Sequence, residues 1–177
     1  MKKIFINDDN LEIEDLDYEV IRVKGLVVNS KNEVLIAFNN NTYQFPGGHV
    51  ELDEDKAEAL IREIEEETGI GIKDVSGPFM EIVTYAKRYF GSDKNVCNRI
   101  FYYRVLSDDT PNLEETNYDE LERQSEFGLF YVHIDDLEHF LHNCLENGTI
   151  DVSIGREMLL ALEEYNYLFG GVLSWKF

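Results

Sequence analysis

The residues in this chain best suited to chemistry are three glutamates, Glu63, Glu66 and Glu67, set three and four positions apart. At about 100° per residue, a helix puts Glu67 about 20° from Leu60, Glu63 about 60° and Glu66 about 120°, all on one side. Like charges so placed repel. Each i,i+4 pair costs about 0.2–0.5 kcal/mol on a helix surface, and more where it is partly buried. A hard divalent cation removes that cost, because Mg²⁺ and Mn²⁺ favour oxygen ligands in octahedral geometry. A cation held this way can offset phosphate charge and acidify a water molecule.

The glutamates belong to a longer pattern, Gly48-x5-Glu54-x7-Arg62-Glu63-Ile64-x-Glu66-Glu67-x-Gly69-Ile70. Average residue usage gives such a match a chance frequency on the order of 10⁻⁹ per start position. The plain reading of an isolated run such as Glu63-Ile64-Glu65-Glu66-Glu67 is a solvated helix face. The spacing to Gly48 and Glu54, the preceding Phe45-Pro46-Gly47-Gly48 and the closing Gly69-Ile70 overturn it. Gly47-Gly48 lets the backbone take positive φ and approach a ligand, and a carbonyl of this pair can turn inward as a further oxygen ligand. Arg62 has the length and charge to hold a motif carboxylate in place, which makes Glu54 and Arg62 supporting residues.

Several elements must position this helix. Val20, Ile21, Val23 and Leu26 to Val28 predict a strand over Glu19 to Asn29. Asn29-Ser30-Lys31-Asn32 is a turn, and Val34 to Phe38 the returning strand of a hairpin. Pro46 keeps Tyr43-Gln44-Phe45 extended. The acidic helix itself is expected from Lys56 to Thr68, with Asp55 as N-cap, Glu58 completing a capping box and Gly69 as an αL C-cap. Its inward stripe reads Ala57, Leu60, Ile61, Ile64 and Thr68. Strands are expected over Phe79 to Phe90, Asn95 to Leu106 and Gly128 to His133, with Ser107 to Gln124 mostly loop. Leu137, Phe140, Leu141, Cys144 and Leu145 mark a second helix ended by Gly148. A third runs from Val152 to Phe169. The tail carries Leu173, Trp175 and Phe177, which should dock on the body or on a second subunit, so a homodimer is possible.

Bulk properties exclude several classes. With 36 acidic and 16 basic residues, the chain carries a formal net charge of −20 and repels nucleic-acid backbones. A phosphate-bearing ligand must arrive with cations or meet a local basic patch, for which Arg22, Lys24, Lys87, Arg88, Arg99 and Arg104 are candidates. No apolar run reaches the ~20 residues a membrane span needs. The N-terminal segment lacks the apolar core of a signal peptide, so a cytoplasmic location is expected. Cys97 and Cys144 form no CxxC pair and read as buried small apolar residues. Tyr43, Tyr85, Tyr89, Phe101 and Tyr103 could stack a base, although core packing is the simpler role for each. His49 could contact phosphate or simply belong to the turn.

The full pattern, with its lead-in Phe45-Pro46-Gly47-Gly48-His49-Val50-Glu51, resembles the signature of the Nudix hydrolase family. The resemblance implies an α/β/α sandwich, a mixed β-sheet with helices on both faces, from about Tyr18 onward. It implies one domain over residues 1–177, with 148–177 a helical extension beyond the minimal fold. It also implies Mg²⁺- or Mn²⁺-dependent hydrolysis of a phosphoanhydride bond in a nucleoside diphosphate linked to another moiety. The family's metal ligands and base map to Glu63, Glu66 and Glu67, and a carbonyl ligand to Gly48. Some members draw a further glutamate from a loop, for which Glu122 and Glu126 are both candidates. The substrate stays open. Ala86, Lys87 and Arg88 stand where some subfamilies carry a marker proline or tyrosine, and Tyr85 and Tyr89 fall just outside that window. Three rivals rank lower. A non-catalytic nucleotide sensor usually has a broken motif. An isomerase on this scaffold wants a cysteine upstream, and Cys97 lies downstream. An acidic interaction protein has no use for the glycine spacing.

Overall fold

Alternation along the second strand decides the architecture. Val23 and Val27 pack on one side of the sheet, Leu26 and Val28 on the other, and all four are buried. A strand buried on both faces needs a layer above and below it. The computed structural model describes residues 1–39, 41–88, 92–112 and 127–170. Among these, the strands are β1 (Lys2–Ile6), β2 (Tyr18–Val28), β3 (Glu33–Asn39), β4 (Thr42–Gln44), β5 (Met80–Ala86), β6 (Val96–Leu106) and β7 (Gly128–His133). The helices are α1 (Lys56–Thr68), α2 (Ile134–Glu146) and α3 (Val152–Phe169).

The strands form one mixed sheet in the order β1-β5-β6-β2-β3-β4, with β7 also pairing β3. β2 runs parallel to β6 over its whole length, from Tyr18 opposite Val96 to Val28 opposite Leu106. β5 and β6 are antiparallel, and β1 is parallel to β5. On one face, α1 covers Val23, Val27, Leu35, Phe101, Tyr103 and Val105. On the other, α2 and α3 cover Leu26, Ile36, Met80, Ile82, Ile100 and Tyr102. This is the α/β/α sandwich with a mixed sheet that the resemblance implied.

The sheet splits where the site forms. β2 and β3 pair at the hairpin end, Val28 opposite Val34, and then part. Residues 46–50 fill the place beside β2. Val23 N–H donates to the Gly48 carbonyl, Gly25 N–H to Pro46 and Val50 N–H to the Ile21 carbonyl. The glycine segment is thus pinned to the sheet by backbone bonds.

Most elements lie where the sequence puts them. Asp55 caps α1 by accepting from Ala57 N–H, and Gly69 closes it at φ 68°. The Asp55 carboxylate stops at that second amide, so the expected capping box with Glu58 is not what holds this end. The buried stripe of α1 is Ala59, Leu60, Ile64 and Thr68, whereas Ala57 and Ile61 are only half-buried. Leu60 and Ile64, which pack against Gly25 of β2, centre the buried face, and Ala59 rather than Ala57 or Ile61 completes it. β5 ends at Ala86, short of the expected Phe90; residues 89–91 lie outside the described residues, as do Glu122, Glu126 and the Leu173, Trp175 and Phe177 tail. β1 was not foreseen, since Lys2–Ile6 is a short segment at the chain's start whose pairing depends on a strand some 78 residues away. Cys144 is buried as expected. Cys97 is half-buried beside Glu19, with its Sγ 3.8 Å from Oε1. No described helix is long and apolar enough to cross a membrane.

Gly25 sets how closely α1 sits on the sheet. A Cβ there would lie 2.8 Å from Ile64 Cδ1 and 3.5 Å from Leu60 Cδ1. Replacing Gly25 by Val overpacks this contact and should cost about 1–3 kcal/mol. Urea denaturation should show a lower midpoint at unchanged slope; an unchanged midpoint would mean that α1 does not rest on β2 this closely.

Candidate active site

Arg62 is the organising cation of α1. Its Nε and Nη2 donate to Glu54 Oε1 and Oε2 at 2.8 and 3.0 Å. Nη1 donates to Glu63 Oε1 at 2.9 Å and to Glu66 Oε2 at 3.0 Å. Nη2 also donates to the His49 carbonyl at 3.1 Å. One planar guanidinium therefore ties three carboxylates and the glycine segment together, which a lysine ammonium has neither the donors nor the shape to do. The pairing raises the Arg62 pKa, chiefly through Glu54, and holds Glu54 below the usual carboxylate range.

Glu63 behaves differently although it shares the same arginine. Burial pushes its carboxyl above the ordinary value and Glu66 adds repulsion, while Arg62 opposes both. Glu54 and Glu63 diverge because the bonds from Arg62 dominate at Glu54, whereas loss of water outweighs the same charge partner at Glu63. Glu67 is placed by the backbone: Gly47 N–H donates to its Oε2 at 2.8 Å.

The two glycines do different work. Gly47 adopts φ 126°, and a Cβ there would strike the Val23 backbone carbonyl. Gly48 has no positive φ; a side chain at that position would instead occupy the space of the Glu63 carboxylate. The carbonyl that meets a cation is also Gly47's rather than Gly48's. Lys24 Nζ donates to the Gly47 carbonyl and, at 3.1 Å, to Gln44 Oε1, whereas the Gly48 carbonyl accepts from Val23 N–H. Lys24 feels the charges of Glu67 and Glu63, and burial lowers its pKa against their pull.

These groups open on a cavity of about 950 Å³. Glu63, Glu66, Glu67, Gly47 and Gly48 line one side, and Arg22, Lys24, Lys87 and Arg88 supply positive charge around it. Four of the six candidate basic residues thus meet here. Arg99 is drawn to Glu81 at 2.6 Å, and Arg104 lies over the Phe169 ring. His49 lines the cavity and lies 3.2 Å from Arg22 through Nε2, and its pKa is lowered by burial and by the Arg22 and Lys24 charges. No aromatic residue lines the cavity among the described residues. Tyr43 packs on Phe38, Phe130 and Phe140, Tyr85 on Phe5, and Phe101 and Tyr103 lie under α1. Tyr89 is outside the described residues.

Among the described residues, no three His, Cys, Asp or Glu side chains already converge on one centre. The cause is visible in the hydrogen bonds, since Glu63 and Glu66 lean on Arg62 and Glu67 on Gly47 N–H. The donor set nonetheless suits a hard divalent ion. It is all oxygen, carries three formal negative charges, and includes a backbone carbonyl that already accepts a cation, the Lys24 ammonium.

Residues that the sequence did not flag also face the cavity: Thr84 on β5, Asn98 on β6, and Asp151, Ser153, Ile154 and Glu157 at the start of α3. A signal existed. Thr84 and Asn98 interrupt faces otherwise made of Met80 and Ile82, and of Ile100 and Tyr102. Glu157 interrupts the apolar stripe of Ile154, Met158 and Ala161.

A family model described as the NUDIX domain matches residues 20–149. Solved structures share the fold. A MutT protein from Methanosarcina mazei Go1 is 21% identical, with 88% of this chain and 99% of that one covered at a TM-score of 0.53. A MutT NUDIX hydrolase from Burkholderia pseudomallei is 18% identical, with 82% and 97% covered at 0.56. An Ap4A hydrolase from C. elegans, solved as a binary complex, is 16% identical, with 86% and 99% covered at 0.53.

The unlike roles of the glycines can be tested by thermal denaturation. Gly47→Ala should melt well below wild type, because both its φ and the Val23 carbonyl forbid the side chain. Gly48→Ala should melt closer to wild type, since the end of one side chain, Glu63, must move rather than the backbone. Equal losses in the two variants would contradict this division. Arg62→Lys should lose most of what Arg62→Ala loses, about 2 kcal/mol, because one ammonium cannot bridge the three carboxylates.

Proposed function

The chain belongs to the Nudix hydrolase family, and on that premise we propose that it hydrolyses a phosphoanhydride bond in a nucleoside diphosphate linked to another moiety. Mg²⁺ or Mn²⁺ would be held by Glu63, Glu66 and Glu67 with the Gly47 carbonyl. One observation carries this reading: the three carboxylates share a cavity with Arg22, Lys24, Lys87 and Arg88 in a chain of net charge −20. Such a wall of opposite signs suits an anion that brings its own cations.

The chain's residues then divide the work. A bound divalent ion supplies Lewis-acid stabilisation and lowers the pKa of water at the site. Arg62 and Gly47 N–H keep the glutamates at the cavity wall, from which their carboxylates would turn to hold the ion. Arg22, Lys24, Lys87 and Arg88 offset charge on the diphosphate and on the leaving phosphate. Glu63, Glu66 and Glu67 all face the cavity, and one of them accepts the water's proton. The substrate range stays broad. The fold is shared with MutT proteins and with an enzyme named for Ap4A, which supports a screen of nucleoside triphosphates, dinucleoside polyphosphates and nucleotide sugars.

In that screen, phosphate release should require Mg²⁺ or Mn²⁺ and stop with EDTA. Glu63→Ala and Glu67→Ala should each cost about 10²–10³-fold or more in kcat, at melting temperatures near wild type. Retained turnover in both variants would remove these residues from the reaction. Tight nucleotide binding without turnover by the wild type would indicate a sensor.

A further inference from the structure

Two buried polar atoms on one wall of the cavity have no hydrogen-bond partner among the described residues, and a buried carboxyl stands beside them. Thr84 on β5 and Asn98 on β6 stand directly opposite each other in the antiparallel ladder. Thr84 Oγ1 and Asn98 Oδ1 are both buried and receive no hydrogen bond, and Asn98 as a whole is 6% exposed. Glu157, from the first two turns of α3, is 9% exposed and feels the charges of Arg22 and Lys24. All three line the same 950 Å³ cavity as the motif glutamates. A buried polar atom without a partner forfeits the hydrogen bonds it makes in water, so two in one wall, beside a buried carboxyl, call for a compensating partner.

The chemistry of the trio says what that partner is. An amide offers a donor and an acceptor, and a hydroxyl does the same. The Glu157 carboxyl is pushed up to about 7 by burial, against the pull of Arg22 and Lys24 from β2 and with help from Asp151 at the α3 N-cap. Near neutral pH it therefore spends much of its time as a donor and acceptor too. An acidic, sparsely charged wall is wrong for phosphate, which the basic residues and the motif cations serve better. It fits an uncharged group presenting donors and acceptors along one edge.

We infer that Glu157, Asn98 and Thr84 form a specificity subsite that hydrogen-bonds the uncharged part of the substrate, a nucleobase edge or sugar hydroxyls. The inference rests on the hydrolase reading for the placement of the phosphates, but it makes a separate claim about binding. α3 begins at Val152, beyond the segment matched by the family model, so the acidic member of the subsite comes from this chain's extension.

The test uses GTP, ATP, CTP, UTP, their 2′-deoxy forms and inorganic tripolyphosphate, each with Mg²⁺. Calorimetric Kd and kcat/KM are measured on wild type, Glu157→Ala, Glu157→Gln and the near-isosteric Thr84→Val, with a melt to confirm folding. Glu157→Ala should weaken the preferred nucleotide about fivefold to tenfold, mainly in Kd and KM, and leave tripolyphosphate unchanged. Glu157→Gln should restore most of the preference. Wild-type discrimination should decline as pH rises through about 7, when the carboxyl loses its proton, and Glu157→Gln should not show that decline. A loss that varies with the base assigns the edge to the nucleobase; one shared by all four bases but absent from 2′-deoxy forms assigns it to the sugar. Equal weakening of tripolyphosphate, or no change with any probe in both Glu157→Ala and Thr84→Val, overturns the subsite. Base- or sugar-dependent binding that Glu157→Ala abolishes, in a protein with no turnover, supports the subsite and defeats the hydrolase reading instead.

Discussion

Like charges crowded along one helix edge need positive neighbours, and the rest of this structure can be followed from how they are supplied. Glu63, Glu66 and Glu67 share an edge of α1 with Leu60 and Ile64, so the helix cannot turn its charges to water without lifting its apolar stripe off the sheet. Arg62 gathers Glu54, Glu63 and Glu66, and Lys24, on the strand that the glycine segment is bonded to, donates to the Gly47 carbonyl. Both are internal cations with a geometric limit. Arg62 has used its fork on carboxylates to which it is already bonded, and Lys24 loses stability as an ammonium through burial. A divalent ion faces neither limit, and carries more charge into the same space.

The sheet makes that arrangement possible by coming apart. β3 leaves β2 after the hairpin and takes β4 and β7 as its partners. Residues 46–50 occupy the vacated edge of β2, which brings Gly47 N–H and the Gly47 carbonyl to the carboxylate end of α1. The cavity opens on the other side of the sheet, where the even-numbered residues of β2 point, so Arg22 and Lys24 face it while Val23 and Val27 hold α1. One strand thus serves the core with one face and the anion site with the other.

Much of this was legible in the sequence because its signals are local. Asp55 and Gly69 bound α1, the alternation of Val23 to Val28 marks a strand with two buried faces, and the spacing from Gly48 to Ile70 identifies the acidic helix. What the sequence left open depends on distant partners. Whether Gly47 or Gly48 turns its carbonyl toward a cation depends on bonds from β2, some 23 residues upstream. β1 is held by a strand that follows α1. Which of six basic residues share the cavity follows from strand register, and Arg99 and Arg104 were equal candidates until Glu81 and Phe169 claimed them. Glu157 reads on a helical wheel as a polar break in an apolar stripe, and only the packing of α3 on the sheet gives it a place.

The central claim is that the Glu63, Glu66 and Glu67 edge with the glycine segment is a divalent-cation site. Electron paramagnetic resonance of Mn²⁺ tests it most directly, since the free ion's signal is lost on binding. Titrating Mn²⁺ into the protein should remove the signal with saturable stoichiometry, more tightly when a nucleotide is added, and Glu67→Gln should restore most of it. A free-ion signal undiminished at equimolar protein, with and without nucleotide, would contradict the account.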